Sequence, residues 1–231
     1  MRKLAVMVMA VLVSFGIYTA KAEDAMKKEP AVTENHKTAV FAGGCFWCLE
    51  SDLKEVEGVI SVYSGYSGGN IADPSYEMVS SGTTGHLEAV EVTYDPEKIS
   101  YETLLDYFWQ NVDPLDEGGQ FCDRGDQYRA AIFYADDAEK AAAEKSRDHV
   151  AEVLGEEVKT LLLESKAFYR AEDYHQGYSK KNPIRYKYYR QSCGRDRRMK
   201  ELWEEKDINA PVPAQDEAVQ EDKAEEKSGT E

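Results

Sequence analysis

Apolar positions along this chain recur at two periods, and the alternation between them outlines a domain. "TAVFA", Thr38 to Ala42, is a short apolar run that stops at Gly43-Gly44, the pattern of a buried strand followed by a tight turn. From Cys45 onward Leu49, Leu53 and Val56 return at helical spacing, until Gly58 ends the run. "VISVYSGYSGG" is β-branched and aromatic and closes in glycines, and "LEAVEVTYD" alternates imperfectly between apolar residues and acids; both read as strands. Ser100 caps a helix whose Leu104, Leu105, Phe108 and Trp109 form one face, with Glu102 in its first turn. "RAAIFYA" is another strand, Asp136 to Leu154 a long amphipathic helix, and "VKTLLLES" a further strand. The order strand-helix-strand-strand-helix-strand predicts an α+β fold. Its form is a ferredoxin-like split βαβ two-layer sandwich, with long loops and an irregular C-terminal extension.

The pattern fails at both ends. Residues 1–22 pair a basic start, Met1-Arg2-Lys3, with the apolar run "LAVMVMAVLVSFGIY" and a small-x-small site at Ala20-Lys21-Ala22. These are the parts of a secretory signal peptide, and the apolar run is shorter than the ~20 residues a membrane span needs. The mature chain is therefore expected to be exported, to a bacterial periplasm or outside the cell, with no membrane attachment after cleavage. Residues 23–37 are polar and aperiodic, a linker; the catalytic domain is expected over 38–206; and 207–231 reads as an acidic disordered tail.

Composition narrows the function. The 231 residues, 42% hydrophobic and 31% charged, suit a soluble globular protein. A net charge of -16 argues against nucleic acid as a partner, because no basic face is evident to neutralise phosphates. Cys45, Cys48, Cys122 and Cys193 all lie in the mature part. Four in an exported domain this large are too sparse for a disulfide-stapled scaffold, which points some of them toward reactivity.

The stretch "GGCFWC" is where that reactivity concentrates. A strand that turns into a helix at Gly43-Gly44 leaves Cys45 at the helix mouth, where unpaired N–H groups and the helix dipole favour thiolate over thiol. A low-pKa, exposed cysteine is a nucleophile or a site of oxidation to sulfenic acid. Phe46 and Trp47 beside it could form an apolar cup for a methyl or thioether group, since sulfur packs well on aromatic rings.

Four segments in order, "GCFWC", "DPSYEMVSSGTTGHLEAVEVTYDPEKISYETLLDYFW", "DPLDEGGQFCDRGDQYRAAIF" and "AEDYHQGYSKKNP", resemble peptide methionine sulfoxide reductases of the A type, over essentially all of Ala39 to about Trp203. The resemblance implies reduction of methionine S-sulfoxide, free or in oxidised proteins, with repair of those proteins as the outcome. It places the attacking thiolate at Cys45 and the proton donor at Glu88, whose position at the start of an apolar strand would raise its pKa. Without its motif Glu88 would read as a surface carboxylate at a strand edge, and its neighbour Glu91 reads the same way. Tyr76 and Tyr128 would donate to the sulfoxide oxygen, Asp123 would help hold the substrate through water, and Phe46 and Trp47 become the methyl cup. His86 and His175 fall in the same motifs and are assigned structural roles.

Cys45 would be left as a sulfenic acid that a second thiol must resolve. Cys193, in a Gly- and Arg-containing segment that a mobile tail could carry to the site, is the favoured resolver. Cys48 and Cys122 are the alternatives; two thiols on one helix turn diverge, so Cys48 would need distortion. No metal and no organic cofactor is expected. The partners implied are an external dithiol reductant of thioredoxin-like type and the sulfoxide substrate, with the enzyme itself a monomer. Two rival readings start from the same cysteines. A thiol-disulfide oxidoreductase would use Cys45-x-x-Cys48, but Phe-Trp is bulky between the two thiols. A metal-binding module would combine the cysteines with His86 or His175, but only one closely spaced pair is present.

Overall fold

The computed structural model describes residues 35–209; the expected signal peptide, most of the linker and the tail from residue 210 lie outside them. The chain forms β1 (Lys37–Gly43), α1 (Phe46–Leu53), β2 (Val59–Ser67), α2 (Tyr76–Ser80), β3 (Leu87–Tyr94) and α3 (Tyr101–Trp109). A small hairpin, β4 (Gly119–Gln120) and β5 (Asp123–Arg124), and a 3-10 turn over Asp126–Tyr128 lead into β6 (Ala130–Tyr134) and α4 (Asp137–Leu154). β7 (Leu161–Glu164), β8 (Tyr169–Arg170), α5 (Tyr178–Lys181), α6 (Pro183–Cys193) and α7 (Arg195–Trp203) complete it. Among the described residues no helix is long and apolar enough to cross a membrane.

The main sheet has the order β7-β6-β1-β3-β2-β8. Its central four strands, β6-β1-β3-β2, pair antiparallel throughout. That is the arrangement two interlocked split βαβ units produce, β1-α1-β2 and β3-α3-β6, so the expected ferredoxin-like core is present. "VKTLLLES" extends the sheet as β7, parallel to β6, and β8 closes the opposite edge against β2.

Residue parity sorts the side chains of this sheet. Phe41, Val62, Tyr66, Val90, Val92 and Ile132 face α1, α3 and α4 in one large core, with Phe41 stacked on Phe108 at 5.2 Å. Ala42, Leu87, Ala89, Ala131 and Phe133 form a smaller cluster of their own, with Leu161, Leu163 and Phe168 packed against it. The helices begin where the sequence says: Ser100 Oγ accepts from Thr103 N–H at 3.1 Å, and Asp136 Oδ1 from Glu139 N–H at 2.8 Å.

Two expectations need correction. Helix α1 ends at Leu53 rather than near Gly58, because Val56 N–H bonds back to Leu53 O at 3.2 Å and tightens the chain into turns, while Val56 still packs on the core. The C-terminal extension is helical, not irregular. Its α6 buries no residue completely and so lacks the apolar stripe that reveals a helix in sequence. Polar contacts hold it in place: Arg190 Nη1 lies 2.7 Å from Asp52 Oδ1 of α1, and the buried Arg195 donates to Gly43 O at 3.0 Å and Asn111 O at 2.9 Å. The packed unit also runs past residue 206, since Ile208 is buried and His149 Nε2 meets its carbonyl at 2.6 Å.

Candidate active site

The site is built around the turn between β1 and α1. Gly44 has φ of +77°, and a Cβ there would come 2.6 Å from Gln120 Cβ; one on Gly43 would come 2.7 Å from Val112 Cγ1. Only glycine fits both constraints, and the chain turns sharply enough to make Cys45 the N-cap of α1. The adjoining N–H of Phe46, at the first helical position, donates to Glu88 Oε2 at 3.0 Å.

Glu88 reaches that position by strand parity. It shares its face of β3 with Val90 and Val92 and sits opposite Tyr66 of β2, so it points toward the start of α1 and is 2% exposed. Glu91 has the opposite parity and lies on the other face, which separates the two neighbouring carboxylates in space. Burial pushes the Glu88 carboxyl up to about 8, assisted by the charges of Asp123 and Cys48 and opposed by the Phe46 N–H. The group is therefore protonated at neutral pH.

The thiols behave differently from expectation. Cys45 is buried, at 7% exposure, and burial pushes its thiol well above the usual value. The thiol drawn down is Cys48, to about 7, chiefly by a hydrogen bond from Cys45 and then by the Arg195 and Arg190 guanidiniums, against the cost of burial. Because Cys45 precedes the helix instead of lying in it, the two side chains meet, and the expected divergence of two thiols on one turn does not arise. The two thiols titrate together, and their protons come off in two steps that belong to the pair rather than to either residue.

Phe46 and Trp47 flank the thiol. Trp47 Nε1–H donates to His175 Nδ1 at 3.0 Å, and the indole stacks on Tyr178 at 3.6 Å with 4° between planes. His175 also packs on Phe46 at 4.9 Å and Tyr76 at 4.6 Å. His86 takes the Gly69 N–H on Nδ1 at 3.2 Å and meets Ile71 O through Nε2 at 2.8 Å, holding a glycine loop. Both histidines thus anchor neighbouring parts.

Tyr76 opens α2 and is hydrogen-bonded by Tyr128, and burial raises both phenols. Glu172 fixes the Tyr76 backbone, accepting its N–H at 2.9 Å and the Tyr66 hydroxyl at 2.9 Å. Asp123, on β5, accepts a short hydrogen bond from the Tyr189 hydroxyl, and burial raises its carboxyl. Cys45, Phe46, Trp47, Tyr76, Glu88, Asp123 and Tyr128 all line one cavity of about 100 Å³, completed by Tyr189. The seven residues expected at the site therefore come from three of the four matching segments into one pocket.

Cys122 and Cys193 form a disulfide with Cα atoms 4.8 Å apart, and Cys45 and Cys48 are free. Cys122 lies at the exposed tip of the β4–β5 hairpin, and Cys193 ends α6 on a pinned helix pair rather than on a mobile tail. Among the described residues, the sulfurs of Cys122 and Cys193 and a carboxylate oxygen of Asp123 come within 4.8 Å of one another as potential metal ligands, but two of the three are joined in that bond, and neither His86 nor His175 is in the group. Tyr189, Glu50 and Arg195 are the working residues the sequence reading missed. Glu50 is buried on α1 and accepts the Gly177 N–H at 2.8 Å, tying the "AEDYHQGY" loop to the site.

Residues 37–207 match the family model for peptide methionine sulfoxide reductase. The chain belongs to this family. MsrA 2 of Caulobacter vibrioides is 50% identical over 204 residues, covering 88% of this chain and 99% of that protein. MsrA of Bacillus subtilis is 48% identical over 174 residues, covering 74% of this chain and 98% of that protein. Among solved structures, the reduced form of Mxr1 from Saccharomyces cerevisiae superposes with a TM-score of 0.63 at 30% identity, over 68% of this chain and 91% of that one. Methionine sulfoxide reductase A of Corynebacterium diphtheriae gives 0.59 at 30% identity, over 66% and 77%. As a peptide methionine sulfoxide reductase, the chain is a thiol-dependent oxidoreductase acting on methionine sulfoxide.

Proposed function

We propose that Cys45 carries this reaction as the nucleophile and Glu88 as the proton donor. The observation behind the assignment is the single cavity that gathers a thiol, a protonated carboxyl, three phenols and an aromatic pair. Phe46 and Trp47 seat the substrate methyl, and Asp123 helps hold the substrate through water. Cys45 attacks the sulfoxide sulfur as its proton passes to the thiolate of Cys48, the more acidic of the two groups and in contact with it. Tyr76 and Tyr128 donate to the oxygen as charge develops there, and Glu88 protonates it. The oxygen ends on Cys45 as sulfenic acid, so the substrate sulfur is reduced by two electrons and Cys45 is oxidised by two.

Cys193 resolves the sulfenic acid, forming a Cys45–Cys193 disulfide and releasing water. It lies one helical turn beyond Tyr189, whose side chain touches Cys45. Cys122 then attacks Cys193, freeing Cys45 and leaving the exposed Cys122–Cys193 bond for an external dithiol of thioredoxin-like type. The contact between Cys45 and Cys48 favours a second reading, in which Cys48 attacks first. The substrate is the S epimer, free or in proteins, the enzyme is exported behind a signal peptide over residues 1–22, and no metal or organic cofactor takes part.

Glu88→Gln tests the proton donor, since glutamine keeps an acceptor for the Phe46 N–H and removes only the proton. Turnover at pH 7 is expected to fall by roughly 10²- to 10³-fold with the fold intact. Wild-type turnover in this variant would remove Glu88 from the mechanism.

A further inference from the structure

Helix α6 has no apolar face, yet it sends one aromatic side chain into the pocket. The Tyr189 ring lines the cavity beside Cys45 and meets Trp47 edge-on at 6.0 Å, and its hydroxyl donates to Asp123. One turn further along α6 is Cys193, and its disulfide partner Cys122 immediately precedes Asp123. The hydrogen bond and the disulfide are thus two adjacent rungs joining α6 to the β4–β5 hairpin. Arg190, next to Tyr189, fixes the far side of the helix through Asp52 and Asp196.

We propose that Tyr189, held by its hydrogen bond to Asp123, is a further catalytic residue whose hydroxyl stabilises the Cys45 thiolate, and that the Cys122–Cys193 bond left after each turnover clamps it more tightly in the oxidised enzyme. The inference rests on Cys45 being the attacking thiol. The groups that face Cys45 are the Cys48 thiol on α1, the Glu88 carboxyl on β3, Asp123 on β5, and the phenols of Tyr76 on α2, Tyr128 on the 3-10 turn and Tyr189 on α6. The guanidiniums of Arg190 and Arg195 act on Cys48. In such surroundings the group that can favour a thiolate without adding negative charge is a neutral donor. Tyr128 donates to Tyr76 and the proton of Tyr76 is kept for the sulfoxide oxygen, whereas the Tyr189 hydroxyl bonds Asp123, also reaches the Cys45 thiol, and can turn its one proton to either. Its hydrogen bond pulls the Cys45 thiol down, against the burial that pushes it up. The acidity of Cys45 thereby depends on the redox state of a bond to which it does not belong.

The test is the pH dependence of Cys45 alkylation by iodoacetamide, read by fragment-level peptide mapping. It compares wild type with its Cys122–Cys193 bond intact, Tyr189→Phe, Cys122→Ser/Cys193→Ser, and the triple variant, with circular dichroism to verify each fold. Tyr189→Phe is expected to raise the Cys45 midpoint by about one pH unit, the scale of one hydrogen bond to a charged group. The double serine variant is expected to shift it in the same direction, and the triple variant no further than Tyr189→Phe alone. An unchanged midpoint in Tyr189→Phe overturns the donor role, and additive shifts overturn the clamp. Sulfoxide turnover that persists without Cys45 would instead refute the nucleophile assignment, independently of Tyr189.

Discussion

Glu88 shows how much one residue's environment decides. Its motif marks it as the candidate, although a carboxylate at a strand start is ordinarily solvated, as Glu91 beside it would be. Parity on β3 separates the two, placing Glu88 under α1 and Glu91 on the other face. The same burial that keeps its proton costs stability. A carboxyl raised from 4.5 to about 8 contributes stability fully present below about pH 4.5, which is lost as pH rises through 8. Glu88→Gln, neutral at every pH, escapes that loss. The melting temperature of the variant relative to wild type should therefore climb between pH 4.5 and 8 and level off above, while its activity stays low. A difference that is flat with pH would mean that Glu88 is solvated and ionised in the fold. Wild-type activity should in turn decline above pH 8, as the donor loses its proton.

At the scale of elements, the strands and the helices with an apolar stripe were legible because each signals its own burial. The C-terminal helices were not, because what holds them is polar and long-range. Arg195 is the plainest case: the sequence shows one more arginine in a basic run, and the fold buries it to 2% exposure against carbonyls of Gly43 and Asn111, 4.5 Å over the Phe121 ring. It thereby braces the glycine turn that presents Cys45. Arg195→Met keeps much of the stem volume but leaves the buried carbonyls of Gly43 and Asn111 without their donor, while Asp52 keeps Arg190, a loss of about 2–6 kcal/mol. For a domain of this size that corresponds to a melting temperature lower by on the order of 10 °C. A melting temperature within two degrees of wild type would show that the contact braces nothing. Tyr189 escaped notice for the same reason, since its partner Asp123 lies 66 residues away.

Across the whole molecule, the four cysteines form two pairs of different standing: Cys45 and Cys48 buried and reduced, Cys122 and Cys193 joined with Cys122 at the surface. The glycine turn singled out Cys45 in the sequence, but no spacing could pair residues 71 apart or bring the Cys48 sulfur against Cys45. The arrangement suits oxidising equivalents that enter at a buried thiol and leave at an exposed disulfide. Under Cys193 resolution, Cys193→Ser should stop at a Cys45 sulfenic acid with one thiol lost per turnover, whereas loss of two thiols in that variant would assign the first attack to Cys48 or Cys122. The most direct test of the account is a single turnover of fully reduced enzyme with resolved methionine sulfoxide epimers and no reductant, followed by thiol counting and peptide mapping. The account predicts one methionine formed from the S epimer and two thiols lost, with the Cys122–Cys193 bond recovered in wild type, and no methionine from Cys45→Ser. Methionine formed by Cys45→Ser at the wild-type rate would contradict it.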